Sequence, residues 1–407
     1  MDGGFFGAAL GFASFITVIP LFVSGLTDSA LLIGLIPAIH AVGWQLPQLF
    51  TAKKVSSLRL LKPTVLSMSI HERLPFLGLA IVAWYSTSIS QQWALILTFL
   101  LLIWQGFGGG FTANPWQSMI GKIIPARRLG TFFGMQSATA NIFASIAAVL
   151  AGIILDRTIS PLDFTACFLI ASVAMTISWM FLALTRESKS PSLKIPEKTA
   201  WRAKLHIILQ HDINFRWFLV VRIISQFATM GFAFYTVYAV RLHAMSEATV
   251  GFLTACLMAT QIVANPIMGW IGDHRGHRLV LIIGTLAAVV STSLAWFAPG
   301  AGWFFLVFVF AGIANVAAWT IPIAMTLEFG DEVDRPAYIG LANTLIAPFT
   351  FIAPLFGGWL ADNQGYSMTF FASAVLGLIT VFILLLALKD PKSSIKNQVL
   401  PTAGELV

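Results

Sequence analysis

Charged side chains are scarce in this sequence of 407 residues. Asp, Glu, Lys and Arg together make up 10% of it, whereas 57% of the residues are hydrophobic and the mean hydropathy is +0.84. A soluble domain typically has about 25% charged residues, so this chain lacks the polar surface that would cover a globule in water. The composition predicts an integral membrane protein that is surrounded by the lipid bilayer.

Cysteine is scarce as well. The two cysteines, Cys167 and Cys256, lie far apart within apolar segments, so we expect neither a disulfide nor a metal site. The sequence also lacks a Gly-x-x-x-x-Gly-Lys-Ser/Thr loop for ATP, and no nucleophile and base stand out as a pair. We therefore expect no cofactor and no enzymatic reaction.

Long apolar runs dominate the rest of the chain, and each is close to the roughly 20 residues that cross a bilayer as a helix. The first run begins at Gly3 without a basic region before it, so we interpret it as a membrane span and not as a signal peptide. Twelve spans are predicted, numbered 1 to 12 in chain order: 3–23, 30–51, 63–85, 92–119, 131–155, 164–184, 217–240, 249–271, 279–297, 303–326, 338–361 and 368–388.

One long polar stretch divides these spans. Residues 186–215 are rich in Ser, Pro and Lys and are interpreted as a linker, with one interfacial helix near Trp201. The linker separates an N-terminal half, 1–185, from a C-terminal half, 216–390, which is followed by a tail, 391–407. The predicted fold class is thus an all-α membrane protein with twelve transmembrane helices in two six-helix halves.

Lysine and arginine are unevenly distributed between the loops. Twenty of the 24 fall on the side of the linker, in loops 52–62, 121–130 and 272–278, in residues 185–216, at Arg335 and in residues 389–407. Basic loops of membrane proteins stay in the cytoplasm. We therefore predict a multi-pass protein of the inner (plasma) membrane with both ends in the cytoplasm. The same rule accounts for the net charge of +7, so no nucleic-acid partner is expected.

The two halves contain related segments. Residues 128–134, Arg-Leu-Gly-Thr-Phe-Phe-Gly, precede span 5, and residues 335–340, Arg-Pro-Ala-Tyr-Ile-Gly, precede span 11. Both spans end in Gly-x-x-x-Asp, at 152–156 and 358–362. Because several matches share an offset of 206–207 residues, the pattern indicates an internal repeat and two pseudo-symmetric halves.

The turn between spans 8 and 9 has the pattern Gly-x-x-x-Asp-x-x-Gly-x-Arg. Gly269 would let two helices approach closely, and Gly276 would supply a positive φ angle. Asp273, Arg275 and Arg278 place charges where a helix leaves the bilayer. These five residues form a candidate gate motif.

This turn resembles the signature of the major facilitator superfamily of secondary transporters, which joins the second and third helices of each half. The resemblance implies two parallel six-helix repeats with a substrate held between them near the middle of the membrane. In the first half Lys54 stands where Asp273 stands in the second, so only the second copy keeps its acid. We predict that Asp273 accepts hydrogen bonds from the start of span 5 near Thr131 and so closes the cytoplasmic side.

Ionisable residues inside the spans are few, and each costs roughly 3 kcal/mol or more unless it is paired or wetted. Span 3 contains His71, Glu72 and Arg73, with Glu72 as the only carboxylate inside a predicted span. This group is either a site for proton coupling or a structural set in which Glu72 and Arg73 meet different neighbours on spans 2 and 4. Arg222 in span 7, with Gln226 one turn on, is either an anion or gating contact or an arginine that snorkels to the interface.

Neutral polar side chains form a larger set. Either they line a wet cavity for an uncharged or zwitterionic solute, or they form interhelical hydrogen bonds of about 0.6 kcal/mol each. The set is Gln45, Gln105, Asn114, Gln136, Asn141, Gln261, Asn265, Asn315 and Asn343. The preferred cavity candidates in spans 4 and 10 are Gln105, Asn114 and Asn315, with Trp116 and Trp319 as possible aromatic contacts.

Together these features predict a monomeric transporter of bacterial type that moves a small organic solute by alternating access, with the proton as candidate coupling ion. Two alternatives stay open at this point. One is a transport-dead membrane sensor or assembly factor on the same fold, and the other is a lipid flippase.

Overall fold

In the computed structural model the described residues, which are 1–190, 198–236, 238–239 and 247–391, form helices joined by turns and loops. These ranges contain no β-strand. Ten of their helical segments are long and apolar enough to cross a membrane. The prediction of an all-α membrane protein is confirmed.

Most predicted spans are single helices. Spans 3, 4, 5, 6, 8, 9, 10 and 12 are Lys62–Tyr85, Gln91–Ile123, Leu129–Arg157, Leu162–Ala183, Glu247–Arg275, His277–Trp296, Trp303–Thr326 and Tyr366–Leu386. Span 7 is the helix Ile213–Ala228, followed by the 3₁₀ turn Met230–Phe234. The helix Lys198–His211 contains Trp201, as predicted for the linker.

Three spans are interrupted, which the hydropathy pattern did not predict. Spans 1, 2 and 11 consist of the helix pairs Asp2–Phe12 with Val18–Ser24, Ala30–Gln45 with Gln48–Val55, and Arg335–Thr344 with Ala347–Gln364. In span 1 the Ser14 hydroxyl accepts hydrogen bonds from the backbone of Ile16 and Thr17, in competition with the helix. In spans 2 and 11 a proline lies at or just after the break, where it removes a backbone donor. A hydropathy pattern does not register either the Ser14 hydrogen bonds or the missing proline donors.

The chain forms two compact units. Unit 1 consists of Met1–Ile123, Gln136–Glu197 and Glu332–Phe351. Its apolar core includes Phe12, Phe22, Phe76 and Phe168 from spans 1, 3 and 6, and all four side chains are buried.

Unit 2 consists of Ile124–Met135, Lys198–Asp331 and Ile352–Val407. Its core packs Tyr235 and Phe304 against Phe370, and the Ser291 hydroxyl bonds to the Tyr235 hydroxyl at 3.0 Å. Each unit thus includes a segment from the other predicted half. The boundaries between the two halves, the linker and the tail stay a prediction. Linker residues 191–197 and tail residues 392–407 lie outside the described part of the chain.

Candidate functional site

The signature turn joins the helices of spans 8 and 9 through a single glycine. The helix of span 8 ends at Arg275, and the next helix begins at His277. Gly276 between them has φ +95°, a conformation that side chains with a Cβ rarely adopt. A Cβ there would also overlap the carboxylate of Asp390. The glycine is therefore required both by its backbone conformation and by its close neighbour.

Asp273 makes the contact that the sequence predicts. Its Oδ1 accepts a hydrogen bond from the Gly130 N–H at 2.9 Å, and its Oδ2 accepts one from the Thr131 N–H at 2.6 Å. The helix of span 5 begins at Leu129, so these N–H groups belong to its first turn and lack partners within that helix. The partial positive charge of a helix N-terminus favours an anion at this place.

Small residues make this contact possible. A Cβ on Gly269 would lie 2.7 Å from the carbonyl carbon of Gly130, closer than unbonded atoms can approach. A Cβ on Gly134, one turn further along span 5, would lie 2.9 Å from the carbonyl carbon of Asn265. The glycines therefore bring the backbones of spans 5 and 8 together, which places Asp273 within reach of span 5.

The arginines of the signature lie elsewhere. Arg278 donates from Nε to the Leu384 carbonyl at 2.8 Å and from Nη2 to the Leu385 carbonyl at 2.6 Å. It therefore caps the last turn of span 12, where a cation is favoured. Arg275 is exposed. Asp273 is thus the charged residue of the signature that bonds to the start of span 5.

The sequence does not indicate a buried contact between a histidine and a carboxylate beside Asp273. The Nδ1 atom of His277 lies 2.8 Å from Oε1 of Glu328, and both side chains are almost completely buried. The imidazole fills the space above Gly130, where an added Cβ would lie 2.6 Å from Nε2. His277 begins the helix of span 9 and Glu328 follows the helix of span 10, so no spacing in the sequence indicates the contact.

Unit 1 contains the equivalent contact between spans 2 and 11, and it is neutral. The Thr344 hydroxyl donates to the Leu46 carbonyl at 3.0 Å and accepts from the Leu49 N–H at 3.1 Å. The Asn343 amide donates to Oε1 of Gln48 at 2.8 Å. Lys54, which replaces the acid of the first signature copy, is exposed. Side-chain amides and a hydroxyl thus take the place of the carboxylate.

Asn114 belongs to this same contact. Its Nδ2 donates to the Gln48 carbonyl and to the Pro336 carbonyl, each at 2.9 Å, and the residue is fully buried. Gln105 is also buried, and its Oε1 lies 3.0 Å from Nδ1 of His40. Both predicted cavity residues therefore bond to protein groups in this structure and do not face an open space.

The charged group of span 3 differs from the prediction. Arg73 and Glu72 form an ion pair at 3.3 Å, so the expectation that they meet different neighbours is wrong. Adjacent residues diverge by about 100° on a helix, but the long arginine side chain folds back, and it also donates to the Ser69 carbonyl one turn earlier. The ion pair partly neutralises the charges of Arg73 and Glu72 inside unit 1.

The other partners of Arg73 come from spans 1 and 6, not from spans 2 and 4. Its Nη2 lies 3.7 Å from Oδ1 of Asp2 and donates to the Ser178 hydroxyl at 3.2 Å, which in turn donates to Asp2 at 2.6 Å. Asp2 lies just outside the predicted span 1, so the sequence did not indicate a second carboxylate. His71 stands apart and accepts a hydrogen bond from Trp104 at 3.2 Å.

The remaining cavity candidates differ in how deeply they are buried. Arg222 and Gln226 line a cavity in unit 2. Arg222 is only 8% exposed, whereas snorkelling requires a solvated guanidinium. Asn315 and Trp116 are half-buried, and Trp319 is 45% exposed. The predicted cavity residues thus come from both units, and the cavity itself stays a prediction.

Comparison with solved structures defines the class of protein first. A crystal structure of FucP, an Escherichia coli fucose:proton symporter, covers 95% of this chain and 97% of its own with a TM-score of 0.76 and 13% identity. A bacterial homologue of the iron transporter ferroportin covers 94% and 96% with a TM-score of 0.74 and 12% identity. At such low identity the likeness shows the fold, which is that of membrane transporters.

The sequence itself identifies the family. The sequence model of the Major Facilitator Superfamily matches residues 71–243 and 218–403, and the chain belongs to that family.

Similar curated proteins include multidrug resistance protein 1 of Bacillus subtilis, which is 28% identical over 156 residues, 38% of this chain and 39% of that protein. A probable vesicular acetylcholine transporter-B of Danio rerio is 32% identical over 141 residues, 34% of this chain and 29% of that protein. The matches thus span well under half of either relative.

Proposed function

We propose that the protein is a secondary active transporter that moves a small organic solute across the inner (plasma) membrane by alternating access. The observation that carries the proposal is the pair of hydrogen bonds from Gly130 and Thr131 to Asp273. They occur at the signature turn of a family and fold of transporters, and they join two spans that are far apart in sequence. Such a contact can close one side of the protein and can be broken without unfolding a helix.

The gate is proposed to face the cytoplasm. The turn lies between spans 8 and 9 on the side that carries twenty of the 24 basic residues, which supports a cytoplasmic position for the turn and for both ends of the sequence. With Asp273 bonded to span 5, this side is closed. Release of Asp273 would expose the first N–H groups of span 5 to water and open the cytoplasmic side.

Proton coupling is proposed for the group around Arg73. Two carboxylates, Asp2 and Glu72, share this one guanidinium inside unit 1. Two carboxylates and one guanidinium leave one negative charge without compensation, and such a charge costs free energy inside a membrane. A proton taken up by either acid would therefore lower the free-energy cost of burying both. Such a pair exchanges protons as a unit and not as two independent residues.

The gate is tested with Asp273→Asn. A hydrogen bond to a charged group contributes about 1.5–3 kcal/mol, so the closed population should fall about tenfold or more. We would measure the labelling of Ala138→Cys, a position only 6% exposed in span 5, by a maleimide added from the cytoplasmic side of membrane vesicles. Cys167 and Cys256 would first be replaced by alanine. Labelling should become faster in the Asp273 variant.

The matched control is Asp156→Asn, because Asp156 is exposed and lies in the related Gly-x-x-x-Asp at the far end of span 5. This variant should label at the original rate. Equal labelling of the Asp273 and Asp156 variants would refute the gate.

Transport itself is tested without knowledge of the solute. A thermal-shift screen of sugars, amino acids, organic cations and carboxylic acids on the purified protein would identify ligands. Counterflow of each radiolabelled ligand would then be measured in proteoliposomes. Ligand binding without any counterflow would contradict transport and support the sensor alternative.

A further inference from the structure

The segment that follows span 12 contacts the signature turn. The helix of span 12 ends at Leu386, and Asp390 lies just beyond it. A Cβ added to Gly276 would lie 2.7 Å from Cγ of Asp390, so the carboxylate packs directly against the glycine of the turn. Its Oδ2 accepts a hydrogen bond from the Arg278 N–H at 3.2 Å. The carboxylate therefore caps the first turn of span 9, whose N–H groups have no partner within the helix.

Arg278 makes the reciprocal contact. Its guanidinium donates to the Leu384 and Leu385 carbonyls in the last turn of span 12. An acid thus caps the N-terminus of span 9 and an arginine caps the C-terminus of span 12, which is the placement that the two helix dipoles favour. Each helix end receives its cap from the other element, so the two ends are tied together.

A third element bonds to the same segment. The Asn214 side chain, at the start of span 7, donates from Nδ2 to the Lys389 carbonyl at 2.9 Å. Its Oδ1 accepts a hydrogen bond from the Lys389 N–H at 2.7 Å, so one amide pairs with both backbone groups of Lys389. Residues 389–390, which we call the clasp, are therefore bonded to span 7 and to the turn before span 9 within unit 2.

The turn requires support from outside itself. Gly276 is the single residue between the helices of spans 8 and 9, and glycine allows a wider range of backbone angles than other residues. The turn alone therefore does not fix the end of span 8 relative to span 9. Asp273 lies in the last turn of span 8. Contacts that restrict Gly276 and Arg278 thus also restrict the position of the Asp273 carboxylate.

We propose that Asp390 is a positioning residue of the gate, and that it holds the signature turn where Asp273 reaches the first N–H groups of span 5. The inference rests on the proposed function and adds a control point outside the signature, at the junction of span 12 and the tail. Displacement of the clasp from the turn would weaken the closed state of the cytoplasmic side.

The test is the maleimide labelling of Ala138→Cys from the cytoplasmic side, in the protein without Cys167 and Cys256. Asp390→Ala should label about threefold to tenfold faster than the original protein, since a hydrogen bond to the turn is lost. Asp390→Asn keeps an acceptor oxygen of the same size and should restore most of the slow rate. Asn214→Ala releases Lys389 and should also label faster, by a smaller factor, and it tests the clasp if Asp390→Ala does not fold.

A double variant separates positioning from general loosening. If Asp390 acts through Asp273, then Asp273→Asn combined with Asp390→Ala should label no faster than Asp273→Asn alone, whereas independent effects would multiply. Ser291→Ala is the structural control. It removes hydrogen bonds to Tyr235 and Val307 in unit 2 and should lower the unfolding midpoint without faster labelling.

Original labelling rates in both Asp390→Ala and Asn214→Ala, beside faster labelling of Asp273→Asn, would overturn the inference and leave the gate intact. Multiplied rates in the double variant would overturn it as well, because Asp390 would then act independently of Asp273. Equally fast labelling of Ser291→Ala would do the same, since the rate would then report a loss of stability. An unchanged rate in Asp273→Asn would overturn the gate and the clasp together.

Discussion

At the scale of single residues, we expect Arg73 to contribute more to the stability of unit 1 than either acid beside it. It is the cation that bonds to both Glu72 and Asp2, and its ring neighbour Phe6 lies 5.6 Å from the guanidinium carbon. Removal of one acid leaves the arginine with the other. Removal of the arginine leaves both carboxylates without their shared cation.

We therefore expect Arg73→Met to destabilise the protein far more than Glu72→Gln. Loss of one partner from a buried ion pair costs about 3–5 kcal/mol, and here two acids lose their partner at once. The measurement is the unfolding midpoint in detergent at neutral pH. Arg59→Met is the control, because Arg59 is exposed and should change stability by no more than about 0.5 kcal/mol. The interpretation fails if Glu72→Gln is the more damaging change.

Residue partners could be predicted from the sequence only where a motif implied them. The sequence predicts the contact between Asp273 and the start of span 5, because a helix N-terminus favours an anion and the signature contains an aspartate. Asp2 and Arg73, and likewise His277 and Glu328, are distant in sequence and follow no known pattern. Their contacts depend on how the helices pack, which hydropathy does not specify.

At the scale of elements, two interrupted spans meet. Thr344 connects the break of span 2 at Leu46 with the break of span 11 at Leu345. Its hydroxyl donates to the Leu46 carbonyl and accepts a hydrogen bond from the Leu49 N–H. Spans 5 and 8 in the equivalent contact are continuous helices. The sequence indicated that only the second copy of the signature keeps its acid, but not that amides and a hydroxyl form the contact in unit 1.

Thr344→Val should destabilise the protein by about 1–3 kcal/mol, because it leaves a backbone donor and a backbone acceptor without partners. Thr326→Val is the control, since Thr326 is buried and its hydroxyl donates to the Pro322 carbonyl within its own helix. Thermal unfolding of both variants measures the difference. Equal midpoints would mean that Thr344 does not stabilise the breaks.

At the scale of the whole molecule, the distribution of basic residues predicts the orientation. Ala126 lies in a basic loop and Ile159 in a loop at the other end of span 5, and both are exposed. In a cysteine-free protein we expect a membrane-impermeant maleimide to label Ile159→Cys from outside the cell and Ala126→Cys only from the cytoplasm. The reverse pattern in right-side-out and inverted vesicles would contradict the predicted orientation.

The composition of unit 1 has a consequence for biosynthesis. The unit includes Glu332–Phe351, which the ribosome makes long after spans 1 to 6. Until then Asn114 lacks the Pro336 carbonyl, and Gln48 lacks the amide of Asn343. A nascent chain released before span 11 therefore holds unsatisfied amides within the bilayer. Such a chain should be recognised as unfinished by membrane quality control, although its first six spans are already inserted.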